Sequence, residues 1–230
     1  MSAYSIMLCV GVIAMCVITV IRRKKYGMSK WRSILFSLLL TVIGVLGCKL
    51  LYIAENIETV KQQGITFGGF SFFGAVFLIP LCFLVLARPF GLHPLQAVDC
   101  CAPSVAIMIS LMRIGCFVDG CCGAYPIDLF GKQVILPVQL FEAAFDFIIL
   151  AVLWLLEDEK KAQGRLYPVF MISYSLMRFC IEFLRDTPKD LLFLSRGQWY
   201  CIFAIVSSTI FLLGYKFIDD RRNTQSVNDK

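Results

Sequence analysis

The first apolar run of the chain, residues 3–21, reads AYSIMLCVGVIAMCVITVI and is followed at once by Arg22, Arg23, Lys24 and Lys25. About 20 mainly apolar residues are enough for an α-helix to cross the hydrocarbon core of a bilayer. The four basic residues stand where such a helix would meet anionic lipid headgroups. A cleavable signal peptide would carry its basic residues before the apolar run, so this pattern predicts a retained membrane-spanning helix.

Six further apolar runs follow, and the composition agrees with them. Hydrophobic residues make up 59% of the 230 residues and charged residues 17%, against about 45–50% and about 25% in ordinary soluble domains. A soluble core of this size could not bury so much apolar surface, so lipid must cover the remainder. We therefore predict an all-α, polytopic membrane helix bundle of about seven transmembrane helices, forming a single domain over residues 1–230. The seven runs are residues 3–21, 33–54, 68–87, 95–112, 139–156, 166–184 and 198–217.

The placement of Lys and Arg predicts the orientation of the bundle. The net charge of +6 is concentrated at the ends of apolar runs, which favours contact with lipid headgroups and gives no reason to expect nucleic acid. With seven spans, fourteen basic residues fall on one side of the membrane and five on the other. Because the side richer in Lys and Arg faces the cytoplasm, we expect the N-terminus outside and the C-terminus inside.

Several ionisable side chains fall within or beside the predicted spans, towards the outer half of the bilayer, where inserting a charge costs about 2.5–3.5 kcal/mol. Arg178, Glu182 and Arg185 are spaced i, i+4 and i+7, so they share one face of a helix. An ion pair within that helix, with snorkelling to the interface, explains Arg185. For Arg178, which lies deeper, we favour a functional role. The other charges at this depth are Lys49, Arg113 and Glu142.

Arg113 and Arg178 together predict a site for an anion. Two guanidinium groups in one apolar bundle repel each other unless an anion lies between them. Arginine is the side chain best suited to forked contacts with phosphate. A lipid headgroup is the most available phosphate at this depth, so we expect an anionic phospholipid to bind here.

Cys116, Cys121 and Cys122 lie close together in the sequence near the predicted outer face. They suit a disulfide pair, a redox-sensitive element or part of a soft metal site. Adjacent cysteines rarely make a good tetrahedral site alone, and no histidine is near them in the sequence. We therefore favour inert or disulfide-forming thiols, and expect neither a metal nor a cofactor.

Sequence motifs match a known pattern, in order, along most of the chain. Residues 113–120 (RIGCFVDG) resemble Arg-x-Gly-Asn-Phe-x-Asn-Gly, residues 137–142 (PVQLFE) resemble Pro-x-Gln-Leu-Tyr-Glu, and residues 178–185 (RFCIEFLR) resemble Arg-Phe-x-x-Glu-Phe-x-Arg. These are signatures of the bacterial prolipoprotein diacylglyceryl transferases, and the chain is similar to that family nearly from end to end. Shorter matches are Tyr4 with Gly11 and Arg22-Arg23, residues 47–52, residues 68–74, Asp99 with Pro103, and Gly197-Gln198.

The resemblance implies a reaction and a set of site residues. The family moves the diacylglyceryl group of phosphatidylglycerol onto the thiol of a lipobox cysteine in a secreted preprotein. A thioether forms and glycerol phosphate is released at the outer face of the bacterial plasma membrane. The resemblance implies that Arg113 and Arg178 stabilise the departing phosphate, while Glu142 and Glu182 hold the guanidinium groups or receive the thiol proton. The substrate-binding residues implied are Tyr4, Lys49, Gly115, Asp119, Gln139, Arg185 and Gln198.

Several signature positions differ from the family pattern. Cys116 and Asp119 replace two asparagines, Cys121 replaces a glutamate, and Phe73 stands where a His or Tyr is expected. Because Phe cannot exchange a proton, transfer requires another base. The soluble insertion of longer members is reduced to about residues 124–136. These departures favour a divergent paralogue with a changed acceptor or lipid.

Two other functions stay open at this point. A non-catalytic phospholipid-binding or accessory membrane protein on the same scaffold would also explain the substituted Asn, His and Glu positions. A small transporter is less favoured, because the sequence lacks paired Gly/Pro-interrupted helices in two related halves.

Overall fold

The computed structural model describes residues 3–65, 69–124, 126–129, 132–157, 164–185, 187 and 192–228. Two short strands, β1 (Pro126–Leu129) and β2 (Lys132–Ile135), pair as an antiparallel hairpin in the short insertion predicted at residues 124–136. This hairpin is the exception to an otherwise helical architecture in the described ranges. The helices are α1 (Ala3–Arg22), α2 (Lys30–Glu55), α3 (Ile57–Gln63), α4 (Phe72–Leu86), a 3-10 turn (Arg88–Phe90), α5 (Pro94–Val118), α6 (Val138–Leu156), α7 (Leu166–Glu182) and α8 (Arg196–Asn228).

Each of the seven predicted apolar runs coincides approximately with one helix. The short α3 was not predicted. α1, α2, α5, α6 and the Arg196–Lys216 part of α8 are long and apolar enough to cross a membrane. α4 has 15 residues and α7 has 17, which is shorter than the roughly 20 residues usual for a span. The chain is therefore a multi-pass membrane protein, while the count of seven spans stays a prediction.

Side chains near the helix ends satisfy backbone N–H groups that have no partner within their own helix. Ser29 starts α2, and its Oγ accepts a hydrogen bond from the Arg32 N–H at 3.3 Å. The cap of α1 comes from a distant part of the chain: both Asp119 carboxylate oxygens accept, at 2.9 Å, from the backbone N–H groups of Ala3 and Tyr4. A negative charge at a helix N-terminus also complements the helix dipole. Asp119 thus fixes the start of α1 to the end of α5.

Glycines allow two pairs of helices to touch closely. Gly47 of α2 and Gly74 of α4 face each other so tightly that a Cβ on either would overlap the carbonyl group of the other. Gly115 of α5 lies against Tyr4 and Met7 of α1 in the same way. Small residues at helix interfaces are what permit such approaches in membranes. α6 and α7 differ, because apolar side chains line an open groove of about 470 Å³ between them.

A buried ion pair joins α1 to the end of α6. The Arg22 side chain is fully buried and its guanidinium group donates to both carboxylate oxygens of Glu157, with Nε at 2.8 and 2.9 Å. Arg22 also donates to the Cys100 carbonyl oxygen at 3.1 Å, and the Tyr26 hydroxyl donates to Glu157 at 2.7 Å. Burial of Glu157 would raise its pKa, but the hydrogen bonds and charge of Arg22 outweigh this effect and lower the pKa below its usual value.

We expect Glu157→Gln to lower the free energy of unfolding by about 3–5 kcal/mol, because it leaves the buried Arg22 cation without a counter-charge. Thermal unfolding of the purified protein in detergent measures this loss. The matched control is Glu58→Gln, which removes an exposed ion pair with Lys61 and should cost at most about 1 kcal/mol. A lowered pKa means that the Glu157 contribution is present above its unfolded pKa of about 4.3. It is lost as the pH falls through the folded pKa. Equal melting temperatures for the two variants would contradict the role of Glu157.

Candidate active site

One buried carboxylate gathers the three arginines that the sequence singled out. Glu142 of α6 has no exposed side-chain surface. Its Oε2 lies 2.9 Å from Arg113 Nε, and its Oε1 lies 2.5 Å from Arg178 Nη1 and 3.4 Å from Arg185 Nη1. Arg113 comes from α5 and Arg178 from α7. The predicted pair of cations therefore meets at one point between three helices.

A second carboxylate holds Arg178 from its own helix. Glu182, one turn further along α7, places Oε2 at 2.7 Å from Arg178 Nη2. The other oxygen of Glu182 accepts a hydrogen bond from Ser195 Oγ at 2.9 Å, just before α8. The i, i+4 spacing predicted from the sequence thus forms as an ion pair, and it is tied into the tertiary structure.

The two guanidinium groups remain reachable, whereas Glu142 does not. The side chains of Arg113 and Arg178 keep 13% and 12% of their surface exposed, against 0% for Glu142. Glu142 Oε2 and Glu182 Oε2 lie within ion-pair distance of these arginines but receive no aligned hydrogen bond from the described residues. The nearest guanidinium hydrogens therefore do not point at these oxygens. Both guanidinium side chains thus keep some surface that Glu142 and Glu182 do not cover.

Two polar side chains that the sequence reasoning missed lie in the same place. Asp146, one turn after Glu142 on α6, is fully buried, and neither of its oxygens has a hydrogen-bond partner among the described residues. Tyr174, one turn before Arg178 on α7, has a buried hydroxyl that is likewise unpartnered in the described part of the chain. Both are close enough to Arg113 and Arg178 to interact with their charges. Extending the helical period by one turn from Glu142 and Arg178 would have found them.

The chain matches a known protein family over most of its length. A sequence model of the family described as Prolipoprotein diacylglyceryl transferase matches residues 1–214. The chain belongs to this family. It is an enzyme of the transferase class, as the resemblance of its signatures predicted.

Relatives with this activity in their names cover most of the chain. The phosphatidylglycerol–prolipoprotein diacylglyceryl transferase of Clostridium tetani (strain Massachusetts / E88) is 28% identical, with 88% of each chain covered. The second such transferase of Clostridium perfringens (strain 13 / Type A) is 29% identical, over 96% of this chain and 93% of its own. A third, from Nitrosomonas europaea, is 31% identical over 65% of this chain and 59% of its own length.

The other substrate-binding residues expected from the transferase family lie around the arginine site but make structural contacts. Gly115 packs against α1 beside Tyr4, and Asp119 caps α1. Gln139 Nε2 donates to the Cys121 carbonyl oxygen at 2.7 Å. Gln198 Oε1 accepts from the Ser195 N–H at 2.9 Å at the start of α8. Their roles toward substrate stay predictions.

Of the remaining predicted substrate-binding residues, Lys49 lies on α2 and Tyr4 on α1. Lys49 Nζ is 3.4 Å from the Gly69 carbonyl oxygen and 5.2 Å from the ring centres of Tyr52 and Phe70. Tyr4 lines an apolar cavity of about 160 Å³ with Cys48 and with Met112, the neighbour of Arg113. Its lining residues come mainly from α1, α2, α4 and α5.

Phe73, which occupies the transferase family's His or Tyr position, sits in an aromatic cluster. Its ring centre lies 6.2 Å from that of Tyr174 and 5.5 Å from that of Tyr200. Phe73 has no proton to give or take, as expected from the sequence. Tyr174, whose ring neighbours Phe73, also lies close enough to Arg113 and Arg178 to interact with their charges.

The cysteines that replace transferase signature residues form a cluster at the end of α5. The sulfurs of Cys116, Cys121 and Cys122 all lie within 4.8 Å of one another. Contact with the Cys116 thiol, together with the charges of Arg185 and Arg113, outweighs burial and lowers the pKa of Cys122 to about 5. Partial burial raises the pKa of Cys121.

We expect Cys122 to be alkylated by iodoacetamide roughly tenfold faster than Cys121 at pH 6, since its thiolate is already formed while its low pKa reduces its nucleophilicity. Both residues are exposed. Mass spectrometry of the EDTA-treated protein, with Cys122→Ser as the control, measures the two rates. A Cys122 rate that rises tenfold per pH unit between pH 6 and 8 would show that its pKa is not lowered.

Proposed function

We propose that this chain transfers the diacylglyceryl group of phosphatidylglycerol to the cysteine thiol of a lipobox-containing prolipoprotein. The observation that carries this proposal is the meeting of Arg113 and Arg178 on the single buried carboxylate of Glu142. The names of the relatives supply the substrates, and the two reachable cations supply a place for the phosphate.

The site chemistry suits a reaction in which phosphate leaves. The acceptor thiolate attacks the glyceryl carbon that carries the phosphate, a C–S bond forms, and the C–O bond to phosphate breaks. Negative charge grows on the departing glycerol phosphate during this step. Arg113 and Arg178, fixed in advance by Glu142 and Glu182, stabilise that charge more in the transition state than in the ground state.

Membrane placement follows from the distribution of charge. We infer a seven-span protein of the bacterial plasma membrane with the N-terminus outside. This orientation puts the arginine site at the outer leaflet, because Asp119 ties the start of α1 to the end of α5 on that side. The Arg22–Glu157 pair then lies at the cytoplasmic end. Phospholipid reaches the site from the bilayer and the preprotein from outside.

The main alternative is a phospholipid-binding or accessory protein without turnover. It keeps the same arginine site but transfers nothing to a thiol. The substituted signature positions Cys116, Cys121 and Phe73 favour it, whereas the intact set of Arg113, Arg178, Glu142 and Glu182 favours an active enzyme.

We expect the purified protein, phosphatidylglycerol and a lipobox peptide to yield a thioether-linked diacylglyceryl peptide detectable by mass spectrometry. Arg113→Lys and Arg178→Lys should each lower the rate by about 10²–10³, because lysine keeps the charge but loses the forked geometry. Arg88→Lys, at an exposed position outside the site, is the matched control. Phospholipid that co-purifies in an arginine-dependent manner, with no labelled peptide from well-folded protein, would support the accessory function instead.

We expect a membrane-impermeant maleimide to label Cys121 and Cys122 in intact cells, since the inferred orientation exposes the α5–α6 connection outside. The Cys121→Ser/Cys122→Ser variant gives the background. In that variant, Trp31→Cys, an exposed position at the start of α2, should be labelled only after permeabilisation. The reverse pattern would place the arginine site at the cytoplasmic leaflet.

A further inference from the structure

The three-cysteine cluster at the end of α5 has the dimensions of a metal site. All three sulfurs of Cys116, Cys121 and Cys122 lie within 4.8 Å of one another. Sulfurs bound to one Zn²⁺ at about 2.3 Å are about 3.8–4.0 Å apart. Small rotations of the side chains would therefore bring all three onto one ion.

The backbone between these cysteines is shaped so that three sulfurs, rather than two, converge. Cys116 is in the last turn of α5, and its carbonyl oxygen accepts from the Cys121 N–H at 3.0 Å. Gly120 has a φ of 67° and Cys122 has a φ of 60°. A left-handed conformation is uncommon for a residue other than glycine and persists only where the surroundings enforce it. In this conformation the Cys122 sulfur lies within 4.8 Å of the Cys116 sulfur.

Contacts with α6 and with the end of α7 link the cysteine cluster to the arginine site. Gln139 on α6, one turn before Glu142, holds the Cys121 carbonyl oxygen. Ala124 pairs with the backbone of Arg185 at the end of α7. Arg113 and Arg185 are close enough to Cys122 to affect its charge. Three thiolates on one Zn²⁺ carry a net charge of about −1, which these two cations would stabilise.

We propose that Cys116, Cys121 and Cys122 bind one Zn²⁺ ion and that the thiol of the acceptor peptide takes its fourth coordination position. This inference rests on the proposed transferase function and assigns the group that activates the acceptor. Catalytic zinc sites have three protein ligands and one open position. Cys121 and Cys122 are exposed while Cys116 is buried, so the ion would have one side open. Among the described residues, no fourth His, Cys, Asp or Glu joins the cluster.

The metal ion would deprotonate the acceptor thiol, a step for which the altered signature has no base at Phe73. A thiol bound to a divalent metal ion is deprotonated outright, and its proton passes to solvent. The bound thiolate attacks the glyceryl carbon, the C–S bond forms, and the C–O electron pair leaves with the phosphate beside Arg113 and Arg178. The neutral thioether is a weaker ligand than a thiolate and departs from the ion. No oxidant is required, and Phe73 need not act as a base.

This assignment differs from the expectation for these cysteines drawn from the sequence. The spacing of Cys116, Cys121 and Cys122 alone favoured a disulfide or inert thiols. A disulfide would use two of the three sulfurs and leave the third in contact with it. The structure brings all three sulfurs within 4.8 Å of one another, and soft thiolate sets select ions such as Zn²⁺.

The test uses the full-length protein in nanodiscs, reduced, stripped with EDTA and titrated with Co²⁺ as a spectroscopic substitute for Zn²⁺. We expect one Co²⁺ per chain with a thiolate-to-cobalt charge-transfer band that Zn²⁺ displaces. Cys121→Ser and Cys122→Ser should each weaken binding roughly a hundredfold or more. Cys9→Ser, at an exposed position on α1, is the matched control and should change nothing. A lipobox peptide should shift the visible cobalt bands, and the same peptide with serine in place of cysteine should not.

Several results would overturn the inference. The first is the absence of a thiolate-to-cobalt charge-transfer band, and the second is a band that is unchanged in both Cys121→Ser and Cys122→Ser. The third is a visible cobalt spectrum that does not change when the cysteine-containing lipobox peptide is added. A disulfide between two of the three cysteines, found in membranes after rapid thiol blocking, would do the same.

Transfer assays separate this inference from the proposed function. Transfer should stop with EDTA and return with Zn²⁺. A transfer rate that is unchanged by EDTA and by Cys122→Ser would support the proposed function and reject the zinc site. A normal cobalt and peptide response without transfer, with or without Zn²⁺, would reject the proposed function and keep the metal–thiol site.

Discussion

The structure depends on the ion pairs that the buried carboxylate of Glu142 forms with Arg113, Arg178 and Arg185. Each arginine is a costly charge in an apolar bundle, and the three would repel one another without a common counter-charge. Because they come from α5, from α7 and from just beyond α7, the carboxylate on α6 also fixes how these helices pack. The same ion pairs therefore hold these helices together and keep the three arginines in one place.

The two ends of the bundle use buried charge differently. At one end Arg22 and Glu157 are matched, hydrogen-bonded and closed to solvent. At the other end three arginines form ion pairs with two glutamates, and two of the guanidinium groups remain partly exposed. A matched pair gives nothing for a ligand to neutralise, whereas an excess of fixed cations attracts an anion. The same residue types thus form a closed ion pair at one end and a partly exposed charge cluster at the other.

The helices and the arginine pair could be predicted from the sequence because hydropathy and helical spacing are local properties. The length of an apolar run is enough to indicate a membrane span. Charged residues within such runs are expected to lie near one another, because each needs a counter-charge in the apolar interior. The cap that Asp119 makes on α1 could not be predicted in this way, because it depends on how distant helices pack. Asp146 and Tyr174 were missed because no signature includes them. The meeting of three sulfurs depends on the left-handed turn at Cys122, which spacing does not reveal.

The glycine contact between α2 and α4 limits how a bulky substrate can travel. Where Gly47 and Gly74 meet, backbone touches backbone, and no side chain is available to rotate aside. A molecule with two acyl tails cannot wedge these helices apart there without breaking the contact over its full depth. Under the proposed function, lateral passage of phosphatidylglycerol to the arginines would therefore need a helix boundary lined by movable side chains. The groove between α6 and α7 is such a boundary, and it runs beside the helices that carry Glu142 and Arg178.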